Sequence, residues 1–298
     1  MTGLSPEIRD FYTRPVAMTA AGAHAAVLAG LPGELGELCD IVQGVLLHFH
    51  WANAYGVALS PERAAQQHLR PASAVLDAIF SACGEPLGVR REAADRAVGV
   101  CRHYAVLTSA MLRAQGIAAR SRCGFGAYFM PGEFVDHWVV EYWNDAQGRW
   151  ILVDSQLDAL QTAALKLDFD PLDTPRDRFV IAGDAWLQCR AGKLDPMTFG
   201  IMDMRGLWFI GGNVLRDFAA LNNMEMLPWD CWGPAPQSDQ SLTPEVLALF
   251  DRLAALTMDA DNRFSEIRRL YKTDAPLRVP AEVFNALRNQ VETVAPAS

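Results

Sequence analysis

Apolar residues recur at helical spacing through ELGELCDIVQGVLLHFHW, at Leu35, Leu38, Ile41, Val42, Val45, Leu46 and Phe49, and predict an amphipathic helix. A second helix is predicted over Ala72–Cys83, stopped by Gly84 and Pro86. The small-residue run from Ala17 to Leu31 reads as a third. CRHYAVLTSAMLRAQ, beginning at Cys101, is apolar on nearly all sides, the mark of a helix inside a core. Gly116 follows at the usual helix-ending position. The pattern then changes to alternation. Ile117, Ala119, Ser121, Cys123 and Phe125 share one strand face, with Arg120 and Arg122 on the other. HWVVEYW and RWILVD flank the turn-forming NDAQG and predict a hairpin.

Beyond the hairpin, DFDPLDTPRD is a polar loop punctuated by proline. A mixed region rich in Trp, Gly and Met runs through WDCWGPAP, and from Thr243 two or more amphipathic helices are expected, with Pro276 and Pro280 between them. No repeat or low-complexity linker interrupts the chain. The simplest reading is one compact α+β domain over 1–298: a helical part over 1–98, a core over 99–190, and a mixed then helical part over 191–298.

Composition narrows the function classes. The chain has 298 residues, 51% hydrophobic and 20% charged, as in an ordinary globular protein. A formal net charge of -9 argues against non-specific nucleic-acid binding, which draws mainly on Lys and Arg. No apolar run approaches the roughly 20 residues that span a bilayer, so no membrane partner is expected. The Ala17–Leu31 run is broken by His24 and preceded by Glu7, Arg9, Asp10 and Arg14, unlike a secretory signal. The expected compartment is the cytoplasm. Six cysteines (39, 83, 101, 123, 189 and 231) contain no CxxC pair, which fits neither a zinc ribbon nor a disulfide scaffold.

Among these thiols Cys101 stands apart, because it falls in the first turn of the buried helix, just after Gly99. A helix start presents unpaired N–H groups and partial positive charge, which favour a thiolate and can face an oxyanion. The hairpin adds a geometric constraint. If Trp143 lies opposite Trp150, Val139 lies opposite Asp154. His137 is then its diagonal neighbour on the same face, about 7–8 Å away between Cα atoms. A slip of two residues keeps the shared face, and a slip of one destroys it. Asp154 would then orient the imidazole, His137 would take and return the proton, and Cys101 would attack a carbonyl and carry the acyl group.

GVCRHYAVLTSAMLRAQGIAARSRCGF, DHWVVEYW and RWILVDSQLD together resemble the core of the transglutaminase-like superfamily, with its papain-like Cys-His-Asp triad. The flanks are similar to a bacterial branch of unassigned activity. The resemblance implies an α+β core with the nucleophile helix packed on an antiparallel sheet, and catalytic roles for Cys101, His137 and Asp154. It implies neither a substrate nor calcium dependence. The triad chemistry itself leads to the expectation of a peptide, amide or thioester substrate, with hydrolysis or transfer to an amine and no cofactor or metal. The alternative is a non-catalytic binding module on the same fold.

Other residues carry blander readings. Asp136 and Asp158 are neighbouring acids that compete with Asp154, although Asp136 points away from His137 if the strand has begun. Cys123 reads as packing. His48 and His50, taken as helical, do not share a face, and no Cys/His set completes a zinc site. Arg102 and His103 either contact a substrate carboxylate or lie at the surface. Trp51, Gln66 and Gln67 lie upstream, where the family supplies a second oxyanion donor, but none matches a motif. Trp208, Trp229 and Trp232 read as core.

Overall fold

The computed structural model describes residues 3–294. Its contacts group into two units, 1–121 with 139–174, and 122–138 with 175–298.

In the first unit, helices α1 (Pro6–Thr13), α2 (Ala25–Ala29) and α3 (Leu35–Val45) lead to the short strand β1 (Leu46–His48). Helices α4 (Pro61–Ala64) and α5 (Ala72–Ala82), strand β2 (Ala97–Gly99) and helix α6 (Cys101–Ala114) follow. Strands β3 (Ala119–Gly126) and β4 (Phe134–Asn144) each run from one unit into the other along the chain, and β5 (Arg149–Val153) and α7 (Ala159–Leu165) complete the first. Helix α6 is buried from Cys101 through Arg113 because α1, α2, α3 and α5 all contact it. Serine hydroxyls at 109 and 121 join it to β3 at 3.1 Å. Each fully buried Leu, Val or Met on this helix contributes about 1.5–3 kcal/mol, so the helix anchors the unit.

The second unit holds β6 (Phe179–Ile181), α8 (Ala182–Arg190), β7 (Phe199–Ile201), β8 (Met204–Arg205) and α9 (Leu207–Ala220). Its remaining elements are β9 (Asp230–Cys231), α10 (Pro244–Met258), α11 (Phe264–Thr273), β10 (Glu282–Asn285) and β11 (Gln290–Thr293). Its main sheet runs β6-β3-β4-β7-β8, and β11-β10-β9 form a second. Helices α8, α9 and α10 pack on one another. Gly124 is required where β3 meets β6, since a Cβ there would lie 2.3 Å from the Val180 carbonyl.

The hairpin stands in the register expected of it, with Trp143 opposite Trp150 and Val140 opposite Val153. Several local expectations change. The Ala17–Leu31 run is not one helix: two 3-10 turns precede α2, and Ala17 and Gly22 adopt φ of 47° and 56°, which break helical continuation. The helix expected through Phe49 ends at Val45, because Leu46–His48 pairs in parallel with Ala97–Gly99. His48 and His50 therefore leave the α-helix, and the rings lie 5.8 Å apart. After Pro280 the chain forms the β10–β11 hairpin instead of a helix, turning through Asn289 at φ 50°. No helix among the described residues is long and apolar enough to cross a membrane.

Candidate active site

Cys101 opens α6 directly after β2, with Val100 extended between them. The joint is made by His103, one turn in, whose Nδ1 accepts the Val100 N–H at 3.1 Å. Burial, reinforced by the neighbouring Arg102 charge, pushes the His103 imidazole down to about 3, so it stays neutral and Nδ1 stays an acceptor. Its ring lies against Gly99, where an added Cβ would fall 2.8 Å from the His103 Cβ. The glycine two residues before the nucleophile is thus set by the histidine two residues after it. Arg102 is also buried and donates to the Arg70 carbonyl. Neither side chain is a surface group, which corrects that reading of both.

Asp154 follows β5 in the same unit as Cys101, and is 1% exposed. Its N–H donates to the Pro171 carbonyl at 2.8 Å, and its Oδ1 accepts the Gln156 N–H at 3.2 Å. Gln43 on α3 donates to the carbonyls of Ser155 (3.2 Å) and Leu157 (3.3 Å), and Thr108 on α6 donates to the Ser155 hydroxyl at 2.9 Å. Gln43 is not legible in the sequence, because a polar residue within a helical pattern carries no signal of what it will hold.

His137 lies on the stretch of β4 that belongs to the second unit, 2% exposed. Three rings of that unit surround its imidazole: Phe129 at 4.8 Å, Tyr128 at 6.0 Å and Phe179 at 6.2 Å between centroids. Along β4, His137 shares a face with Val139. The β4–β5 ladder ends at Val140–Val153, one residue before Asp154.

The competing acids have other employment. Asp136, on the opposite face of β4 from His137, accepts the Asn213 amide at 2.7 Å. Burial pushes its carboxyl up, against the lowering effects of Arg216 and Asn213. Asp158 caps α7. Among the other thiols, burial pushes Cys39 well up, with the Asp154 charge adding to it, and burial lifts Cys189 to about 11. Both are held in the unreactive thiol form. Of the three upstream candidates, Gln66 accepts the Val98 N–H at 2.8 Å, while Gln67 is buried and Trp51 half-buried. Trp232 is buried, and Trp208 and Trp229 are half-buried. No group of three or more His, Cys, Asp or Glu among the described residues is arranged to hold a metal ion.

Residues 85–155 match the transglutaminase-like superfamily, and that span contains Cys101, His137 and Asp154. This stretch is similar to a transglutaminase-like core, a likeness that suggests cysteine-based acyl transfer or hydrolysis. A protein-glutamine gamma-glutamyltransferase of Pseudomonas aeruginosa is 40% identical to this chain over 122 residues, covering 36% of this chain and 18% of that protein. The chain therefore spans less than a fifth of the length of that relative. A Cytophaga hutchinsonii protein solved as a candidate cysteine protease aligns over 61% of this chain and 50% of its own, at 17% identity and a TM-score of 0.36.

Proposed function

We propose that the protein is a cysteine acyl-transfer enzyme that attacks a primary carboxamide of the glutamine side-chain type. In this reading Cys101 is the nucleophile, His137 its base and then its acid, and Asp154 the group that orients the imidazole. The Cys101 sulfur bonds to the carbonyl carbon, and the amide nitrogen leaves as ammonia with a proton returned by His137. The resulting thioester passes its acyl group to an amine or to water, and the thiol is restored. The observation that carries the reading is the transglutaminase-like match over 85–155, which includes all three residues. The strand parity of His137 and Asp154 supports it, as does the neutral His103 that shapes the helix start at Cys101. The relative's name supports glutamine as the donor class.

The test offers the protein an N-protected glutamine dipeptide with hydroxylamine, and measures ammonia, hydroxamate and intact mass. The expected result is ammonia release with an acyl adduct mapped to Cys101, both lost in Cys101→Ala. Hydroxamate indicates transfer to amines, and free acid alone indicates hydrolysis. Ammonia release at the wild-type rate by Cys101→Ala, or an adduct on another residue, refutes the assignment.

A further inference from the structure

The segment after Asp154 is held by a chain of hydrogen bonds whose direction is forced from one end. Asp158 caps α7, its Oδ1 accepting the N–H groups of Leu160 (3.0 Å) and Gln161 (3.1 Å). Its Oδ2 accepts the Tyr55 hydroxyl at 2.7 Å. Burial pushes the Tyr55 phenol up to about 12, with Asp158 adding to the rise, so the phenol keeps its proton and donates it to the carboxylate. Its oxygen is then left to accept, and it does so from Gln161 Nε2 at 3.2 Å. That turns Gln161 Oε1 toward Gln156, whose Nε2 donates at 2.9 Å. Gln156 closes the chain by giving its backbone N–H to Asp154 Oδ1 at 3.2 Å.

Each amide orientation follows from the one before it, because a carboxylate only accepts and a phenol has one proton to give. The two glutamines are 2% and 1% exposed. Among the described residues Gln156 Oε1 has no protein partner, so Gln161 is what fixes the Gln156 side chain. Arg96 lies over the Tyr55 ring at 5.7 Å and Tyr104 is within electrostatic range of Tyr55, Asp158, Arg96 and Cys101.

We propose that Tyr55 and Gln161 are positioning residues for Asp154, acting through Gln156. The inference rests on the catalytic reading given above. An orienting carboxylate must keep hydrogen-bond geometry to its imidazole, and a displacement of about 1 Å in such a group lowers rates by up to about 100-fold. Neither residue touches the reacting atoms. Their effect passes through the backbone N–H that holds Oδ1.

The experiment measures the pH dependence of Cys101 alkylation by iodoacetamide, mapped by mass spectrometry, with the other five thiols as internal references. Wild type is expected to show an acid limb, in which Cys101 reacts faster than the references at about pH 5.5 as a thiolate–imidazolium pair. Tyr55→Phe and Gln161→Leu are each expected to lower that rate about tenfold and to shift the limb, while the melting temperature shows that both variants remain folded. If the melting temperature shows one variant unfolded, the folded one of the pair decides. An unshifted limb in a folded variant overturns the positioning role and leaves the triad standing. A wild type without an acid limb overturns the triad and this inference together.

Discussion

His103 Nδ1 accepts the backbone N–H of Val100 at 3.1 Å while its ring packs against Gly99, so one neutral imidazole builds the joint that presents Cys101. Adding a methyl group at Gly99 would force the ring off that site. Gly99→Ala is expected to lower stability by about 1–3 kcal/mol, as overpacking in a close-packed core does. It should also slow alkylation of Cys101 without affecting Cys83 or Cys231. Urea unfolding and thiol mapping on the same sample check both effects.

The same histidine predicts a pH dependence. Its folded value of about 3 lies below the ordinary 6.5, so the unfolded chain binds the proton more readily. Stability from this group is therefore full above about pH 6.5 and is lost as pH falls toward 3. His103→Gln, whose amide oxygen can accept the Val100 N–H, should flatten that part of the curve. Unfolding midpoints measured across this range test it. A parallel pair of curves for wild type and variant would exclude His103 as the source.

Asp217 is wholly buried against Arg122, at 2.8 Å, and also accepts the Cys123 N–H at 3.0 Å. Asp217→Asn leaves the Arg122 charge without its counter-charge in the core. A loss of about 3–5 kcal/mol is expected, read from the guanidinium midpoint. A loss below about 1 kcal/mol, the range of an exposed pair, would show that water reaches the pair.

Asp154→Asn keeps the shape of the side chain but presents the imidazole with the wrong partner. In the proposed mechanism kcat should fall by about 10⁴-fold, with the melting temperature little changed. Ammonia release from the glutamine dipeptide measures it. Activity within tenfold of wild type would remove Asp154 from the mechanism.

The hairpin and α6 are legible in the sequence because their patterns are plain: apolar and aromatic runs on either side of NDAQG, and fourteen residues with hardly a polar stripe. Leu46–His48 is not, since three apolar residues continuing a helical pattern give no sign that Ala97–Gly99 will pair with them. At the site, DSQLD offers two acids at 154 and 158, and the hairpin register together with the family resemblance favours Asp154. The sequence does not show what Asp158 does instead, since Tyr55 binds it from about a hundred residues away and it caps the following helix. Arg102 and His103 resemble a surface pair in sequence, and only the packing of other helices around α6 shows that they are internal.

Two arginines on one face of β3 have a consequence for how the chain finds its fold. Arg120 meets Glu141 at 2.7 Å and Arg122 meets Asp217 at 2.8 Å, both buried. A strand misaligned by one residue would drive both guanidinium groups to the apolar side, and a shift of two would leave at least one without its acid. Either error strands a charge in the interior. The pair thus works as a two-pin key, rejecting near-miss alignments of β3 that apolar alternation alone would tolerate.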